Sequence, residues 1–257
     1  MVILALGDIL GIPGIKALRK HLAGVRKMYG ADIVVANGEN ASGIGVSPSA
    51  AGEILAAGVD VITLGNHTWK DKDIPAYLER NSRVLRPANY AGSCPGHSSV
   101  VVEACGKKIC VASLMGRHEI NFNLDNPFAA ADRIIEQNTG LADAFVVDFH
   151  AEATSEKLAM LFYLKGRVSV LFGTHTHIQT ADERVVDGTG YITDLGMTGP
   201  FDSVIGVMPE QPIEGFLGGV PDRFKTSSAP VRILGCMFKL DDQTMKCVEV
   251  GRISIED

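Results

Sequence analysis

The stretch VILALGDILGIPGIKALRKHLAGVRKMYGADIVVANG, residues 2–38, decides the fold. Two apolar runs, VILALG and DIVVAN, flank an amphipathic segment, and the alternation continues through SPSAAGEILAAG to VDVITLG at residue 65. Short apolar runs separated by helical periodicity predict a β-α-β-α-β order and a largely parallel sheet with helices on one face. In the first helix Ile15, Leu18, Leu22, Val25 and Tyr29 recur at three- and four-residue spacing, Pro13 suits the opening turn and Gly30 the C′ position. In the second, Ser47 is the expected cap, Pro48 the opening residue and Gly58 the stop.

Beyond Trp69 the pattern changes. A short helix is predicted over 71–80, then a hairpin in SSVVVEACGKKICVASL turning around Gly106-Lys107-Lys108. A polar loop over 115–127 leads to a helix near 128–138, and AFVVDFH reads as a buried strand. Thr154 or Ser155 should cap a helix ending near Gly166. After VSVLFG come short strands near 182–187 and 191–195, a Gly/Pro-rich stretch over 196–229, and closing strands near 231–239 and 245–253. The sheet is therefore expected to be mixed. With no shift in composition to mark a linker, residues 1–257 read as one α/β domain.

The net charge is −6, so there is no electrostatic footprint for duplex nucleic acid or an anionic membrane. The apolar start lacks a basic flank and carries Asp8, which reads as a buried strand and not a leader. No apolar stretch approaches the roughly 18 to 20 residues needed to span a bilayer, and a cytoplasmic location is expected. The five cysteines form no zinc-type pair, and their odd number suits reduced thiols better than a disulfide framework.

In sheets of this kind ligands bind beyond the carboxyl ends of the strands. Those ends carry Gly7-Asp8, Asn37-Gly38-Glu39-Asn40, Gly65-Asn66-His67, His150 and Gly173-Thr174-His175-Thr176-His177. Any one of these has an ordinary explanation as a cap or a hydrogen-bonded core residue. Metal-type ligands at all five ends do not. Residues i and i+2 of an extended chain point to one side, so His175 and His177 suit a common centre. Carboxylate, amide oxygen and imidazole together suit manganese, iron or zinc. Gly7, Gly11 and Gly14 do not make a dinucleotide fingerprint, and no phosphate-loop lysine follows them.

This ordered series resembles the calcineurin-like metallophosphoesterases and, more closely, their YmdB-like bacterial branch, which VANGENASGIG, ITLGNHTW, LRPANY, VDFHAEATSEK, FGTHTHIQTADERV and ITDLGMTGPFDSVIG match along nearly the whole chain. The resemblance implies a sandwich of two mixed β-sheets flanked by helices, α/β/β/α in layers. It also implies two divalent transition-metal ions, iron or manganese before zinc, and hydrolysis of a small phosphodiester, a 2′,3′- or 3′,5′-cyclic nucleotide. Carried over by position, Asp8, Asn40 and His177 fall on the first ion, Asn66, His150 and His175 on the second, and Glu39 between them. His67 falls at the leaving group. Two positions depart from the wider superfamily. Leu10 stands where an imidazole is usual, with Asn40 as its substitute, and Thr68 stands where an acidic residue usually orients the histidine.

Arg86, Asn89 and Arg117 are candidates for contacting phosphate from nearby loops. Asp148, Glu152 and Asp194 are candidates for orienting ligands, whereas Lys20, His21, His97 and His118 read as solvated. Phe216, Leu217 and Val220 offer either a homo-oligomer contact or a cover over the site. The rival functions are a phosphomonoesterase or nuclease on the same site, and a regulatory protein that holds a metal or nucleotide without turnover. A low aromatic content, 6%, argues against a nuclease groove, and retention of His67 argues against binding alone.

Overall fold

The computed structural model describes residues 1–220 and 224–257. The chain runs β1 (Val2–Leu6), β2 (Asp8–Ile9), α1 (Gly11–Tyr29), β3 (Ile33–Asn37), α2 (Pro48–Ala56), β4 (Val61–Thr63), α3 (Ile74–Arg80) and β5 (Val84–Leu85). It continues through β6 (Ser99–Ala104), β7 (Lys107–Met115), α4 (Pro127–Asn138), β8 (Ala144–His150), α5 (Thr154–Leu164), β9 (Val170–Thr174), β10 (Arg184–Val186) and β11 (Thr189–Ile192). The last elements are β12 (Met197–Pro200), α6 (Glu210–Phe216), β13 (Val231–Leu240) and β14 (Cys247–Glu256).

One sheet has the order β2-β12-β13-β1-β3-β4-β5, with β14 also on β13, and the other has the order β10-β11-β9-β8-β7-β6. Both are mixed: β1, β3, β4 and β5 pair in parallel while β13 runs against β1, and β7, β8, β9 and β11 pair in parallel while β6 runs against β7. Because side chains alternate along a strand, the continuous apolar runs serve two cores. Ile3, Ala5, Ile33 and Val35 meet Ile109, Val111, Val170 and Phe172 between the sheets. Leu4, Leu6, Val34 and Ile62 face α1 and α2 through Ile15, Leu18, Leu22 and Ile54. On the far side Val147, Phe149 and Leu171 pack on α4 and α5 through Ile134, Met160 and Leu161. The expected four-layer sandwich is the fold.

Local signals held at several ends. Gly30 closes α1 in the left-handed conformation, and the Ser47 hydroxyl accepts from Ala50 N–H at 3.2 Å. Others moved. The hairpin turns at Cys105-Gly106, both at positive φ as a tight two-residue turn demands, so Lys107 and Lys108 already belong to β7. Neither Thr154 nor Ser155 caps α5, which starts at Thr154 behind Ala153 without a side-chain cap. The Gly/Pro-rich stretch contains β12, recruited by pairing with β2 and β13, and α6; its residues 221–223 lie outside the described residues. Lys20 and His21 are not simply solvated, since both reach the Asp257 carboxylate. All five cysteines are free thiols.

Candidate metal centre

The carboxyl ends of both sheets meet at one edge of the sandwich. β2 delivers Asp8, the turn after β3 delivers Glu39 and Asn40, and the turn after β4 delivers Asn66 and His67. From the second sheet come His150 at the end of β8 and His175 and His177 just past β9. The approach is close: a Cβ on Gly65 would lie 2.2 Å from the His150 ring, so only glycine lets that ring sit against the backbone.

Around His150 Nε2 gather Asn66 Oδ1 at 2.8 Å, His175 Nδ1 at 3.1 Å and Glu39 Oε1 at 3.2 Å. One ligand atom from each of Glu39, His150 and His175 falls within 4.8 Å of the others. A second group lies beside it, with His177 Nε2 3.1 Å from Asn40 Nδ2 and 3.7 Å from Asp8 Oδ1. Asp8 Oδ1 is buried and has no hydrogen-bond partner. Glu39 touches both groups, since Asn40 Nδ2 also donates to its Oε1 at 3.5 Å.

The surroundings fix which nitrogens face inward. His177 Nδ1 lies 3.1 Å from the Ile205 carbonyl, which can only accept, so Nδ1 carries the hydrogen and Nε2 presents a lone pair. His175 Nε2 meets Glu152 at 2.9 Å, leaving Nδ1 toward His150. His150 Nδ1 meets Thr174 Oγ1 at 2.9 Å, and that hydroxyl donates to Asp148 Oδ1 at 2.8 Å. Asp148 also accepts from Thr63 and Asn37. Carboxylates behind the imidazoles are the usual support of metal-binding histidines.

Charge is distributed accordingly. Burial pushes the Asp8 carboxyl up to about 6, against the pull of His177 and His150. Burial would raise Glu39 too, but His150 and His67 outweigh it and hold this carboxyl at about 2. Burial disfavours a charged His150, yet Glu39 overrides it and raises the imidazole to about 9. Burial, with His150 beside it, lowers His175 to about 3. In the metal-free protein a proton on His150 Nε2 thus sits among Glu39, Asn66 and His175, where a cation would take its place. An orphaned buried carboxylate oxygen, inward-facing imidazole lone pairs and a proton among three acceptors all fit divalent transition metals.

The loop carrying His175 and His177 is held out of its preferred conformation, with φ of 105° and 65° at these two residues. Asp194 over-determines it: its carboxylate accepts from Thr176 N–H at 3.1 Å and Gly196 N–H at 2.9 Å and pairs with Lys157 Nζ at 2.8 Å, both side chains 1% exposed. Lys157 left no mark in the sequence, since a lysine on an amphipathic helix reads as solvent-facing. Thr63 and Thr174 were likewise hidden among β-branched strand residues.

Two of the phosphate-contact candidates serve the backbone instead. Arg86 is buried, and its guanidinium donates to the carbonyls of Pro87, Cys94 and Pro95. Asn89 is buried and clamps Met115 N–H and C=O and the Asp125 carbonyl. Both staple loops through backbone groups. Arg117 contributes its N–H to Glu156, and none of the three lines the cavity over the centre. That cavity, of about 610 Å³, is bounded by Glu39, Asn40, Asn66, His67, His175 and His177 and by an apolar wall that includes Ile205 and Phe216.

The YmdB-like protein family matches this chain over residues 4–253. The chain belongs to the YmdB-like family. It is 40% identical to the 2′,3′-cyclic-nucleotide 2′-phosphodiesterase of Bacillus subtilis (strain 168), over 100% of this chain and 98% of that relative. Among solved structures, a hypothetical protein from Thermus thermophilus superposes with a TM-score of 0.92 at 38% identity, covering 100% of both chains. A novel phosphatase from Mycoplasma pneumoniae superposes with a TM-score of 0.93 at 36% identity, over 100% of this chain and 93% of that one. The likeness to these proteins runs through the whole sandwich, so every strand end that delivers a candidate ligand lies inside the matched region. No described helix is long and apolar enough to cross a membrane.

Proposed function

We propose that this YmdB-like protein is a metal-dependent phosphodiesterase that opens small cyclic nucleotides, 2′,3′-cyclic monophosphates foremost and 3′,5′-cyclic monophosphates as a further class. The observation that carries the reading is the pair of donor groups joined through Glu39 at the floor of a cavity, with His67 beside them. Asp8 and His177 would hold one ion, joined by Asn40 through Oδ1 once its amide, whose Nδ2 faces His177 here, turns over; Asn66, His150 and His175 would hold the other and Glu39 both, with iron or manganese preferred over zinc. Two such ions supply neutralisation of the phosphate oxygens and acidification of a water.

The protein's own residues do the rest. His67 is fixed at both ends of its geometry, its backbone N–H on Glu39 Oε2 at 3.0 Å and its Nδ1 on Asn40 Oδ1 at 2.7 Å. This leaves Nε2 for the ester oxygen that departs; with Nδ1–H on Asn40 as the amide stands here, His67 can give a proton there only as imidazolium, a form that burial disfavours and the Glu39 carboxylate favours. Glu152 and Asp148 keep His175 and His150 turned inward. The activity named for the Bacillus subtilis relative supports the substrate class. A cytoplasmic location belongs to the same reading and suits five free thiols.

The test is hydrolysis of 2′,3′-cyclic AMP, 3′,5′-cyclic AMP and p-nitrophenyl phosphate by chelator-stripped protein before and after return of manganese, iron or zinc. Activity on the cyclic diesters only after metal return is expected. Full activity in stripped protein, or turnover of the monoester alone, would refute the proposal.

A further inference from the structure

The cavity over the centre has two unlike halves. Its floor carries the ligand candidates and His67, whereas Val204, Ile205, Val207, Phe216 and Phe224 from the segment before β13, with Ile44 from the loop behind Glu39, make an apolar wall. Phe216 is 91% exposed and Phe224 52%, so two aromatic rings stand at the cavity with much of their surface open to water. No lysine or arginine is among the described lining residues. Leu217 and Val220, the other prominent apolar side chains of this segment, do not line the cavity. Its volume of about 610 Å³ suits a nucleotide, within the usual range for small-molecule sites.

We infer that this wall is a subsite for an uncharged planar nucleobase, with Phe216 and Phe224 as its stacking surface, and that it selects nucleoside diesters over diesters lacking a base. The inference rests on the proposed phosphodiesterase reading, which puts the phosphate on the floor. The wall can then offer an attached group only dispersion and desolvation, which a base's π-face exploits regardless of its identity. A second phosphate would find no described cation there, so the subsite favours an uncharged group. Selection among bases is accordingly weak.

The test compares Phe216→Ala and Phe224→Ala with the parent on 2′,3′-cyclic AMP and on glycerol 1,2-cyclic phosphate, which lacks a base, in the metal-loaded protein. Each substitution should raise KM for the nucleotide by about 10-fold, within the range of one base–aromatic stacking contact, and leave the glycerol diester unchanged. Phe216→Trp should retain the nucleotide KM. Equal effects on both substrates, or none on either, overturn the subsite while leaving the phosphodiesterase reading intact. Adenosine binding to metal-free protein, followed by NMR, is independent of turnover: it should be present in the parent and weakened in both alanine variants. Absent or unaltered binding overturns the inference even if the phosphodiesterase reading fails. Sedimentation supplies the last arm. A dimer that Phe216→Ala dissociates, without adenosine binding in the parent, would assign the wall to a second copy of the chain.

Discussion

The Asn40 amide oxygen lies 2.7 Å from His67 Nδ1, and the same amide's nitrogen lies 3.1 Å from His177 Nε2. One side chain therefore links the imidazole proposed for the leaving group to a candidate ligand of the first ion. The acidic residue usual after Gly-Asn-His is Thr68 here, buried and donating to the Gly65 carbonyl at 2.6 Å. Asn40 therefore orients His67 here, and it is also the residue proposed to take the place of the imidazole missing at Leu10.

His67→Ala should keep the metal content and lower kcat for cyclic nucleotides by about 10²- to 10⁴-fold, the range for a lost acid catalyst. Bis-p-nitrophenyl phosphate, whose leaving group needs little protonation, should lose much less. Equal losses on both substrates would contradict the assignment. Asn40→Ala should lower kcat and metal content together, because it removes the partner of His67 and one donor of the first group.

Glu39→Gln and Asp8→Asn separate the shared donor from a terminal one. Glu39→Gln should remove nearly all activity and bound metal while leaving the far-UV circular dichroism unchanged, since none of the apolar clusters contains Glu39. Asp8→Asn should weaken metal binding less, yet stabilise the metal-free protein above pH 6 by about 1–3 kcal/mol. It deletes a buried charge whose Oδ1 has no partner, and relief of an unsatisfied buried group is of that order. Metal analysis beside thermal melts in chelator reads both effects, and a destabilised metal-free Asp8→Asn protein would count against the metal-site reading.

Metal-free protein should also lose stability as pH rises from about 6.5 to about 9. His150 has the higher pKa in the folded state, so folding takes up a proton there: its contribution is complete below 6.5 and lost as pH passes through 9. Saturating manganese should abolish this slope and release protons on binding near neutral pH, which calorimetry in buffers of different ionisation enthalpy would measure. A flat stability profile in chelator would show that His150 is not the proton holder.

Gly65→Ala should damage the centre without touching a ligand. The added methyl would need the space of the His150 ring, so the ring must shift away from Asn66 and Glu39. Weaker metal binding with preserved secondary structure is expected, and normal metal content would refute the packing argument.

Lys157→Met should cost about 3–5 kcal/mol, because it leaves the Asp194 carboxylate buried without its cation. Adding Asp194→Asn should recover much of that stability but not metal affinity, since the neutral amide holds the Thr176 turn less firmly. Denaturant melts and metal titrations on the single and double variants separate the two effects. Recovery of affinity along with stability would remove Asp194 from the support of the histidine loop.

The sequence by itself determined the alternation of strands and helices, a mixed sheet and the strand ends that carry Asp8, Glu39, Asn66, His150, His175 and His177, while the two-sheet sandwich was implied only by the family resemblance. Apolar periodicity and a polar residue after a buried run are local signals, and a parallel sheet then gathers its carboxyl ends on one edge whatever the details of packing. Only the tertiary structure decided what Arg86, Asn89 and Lys157 do, because an arginine or amide on a loop serves phosphate and backbone carbonyls equally well until its neighbours are known. The same holds for β12 and α6, whose formation depends on partners far along the chain. It holds as well for the hydrogen bond from His67 to Asn40: residues 27 apart meet only because β3 and β4 lie side by side, and no periodicity records which way an amide turns.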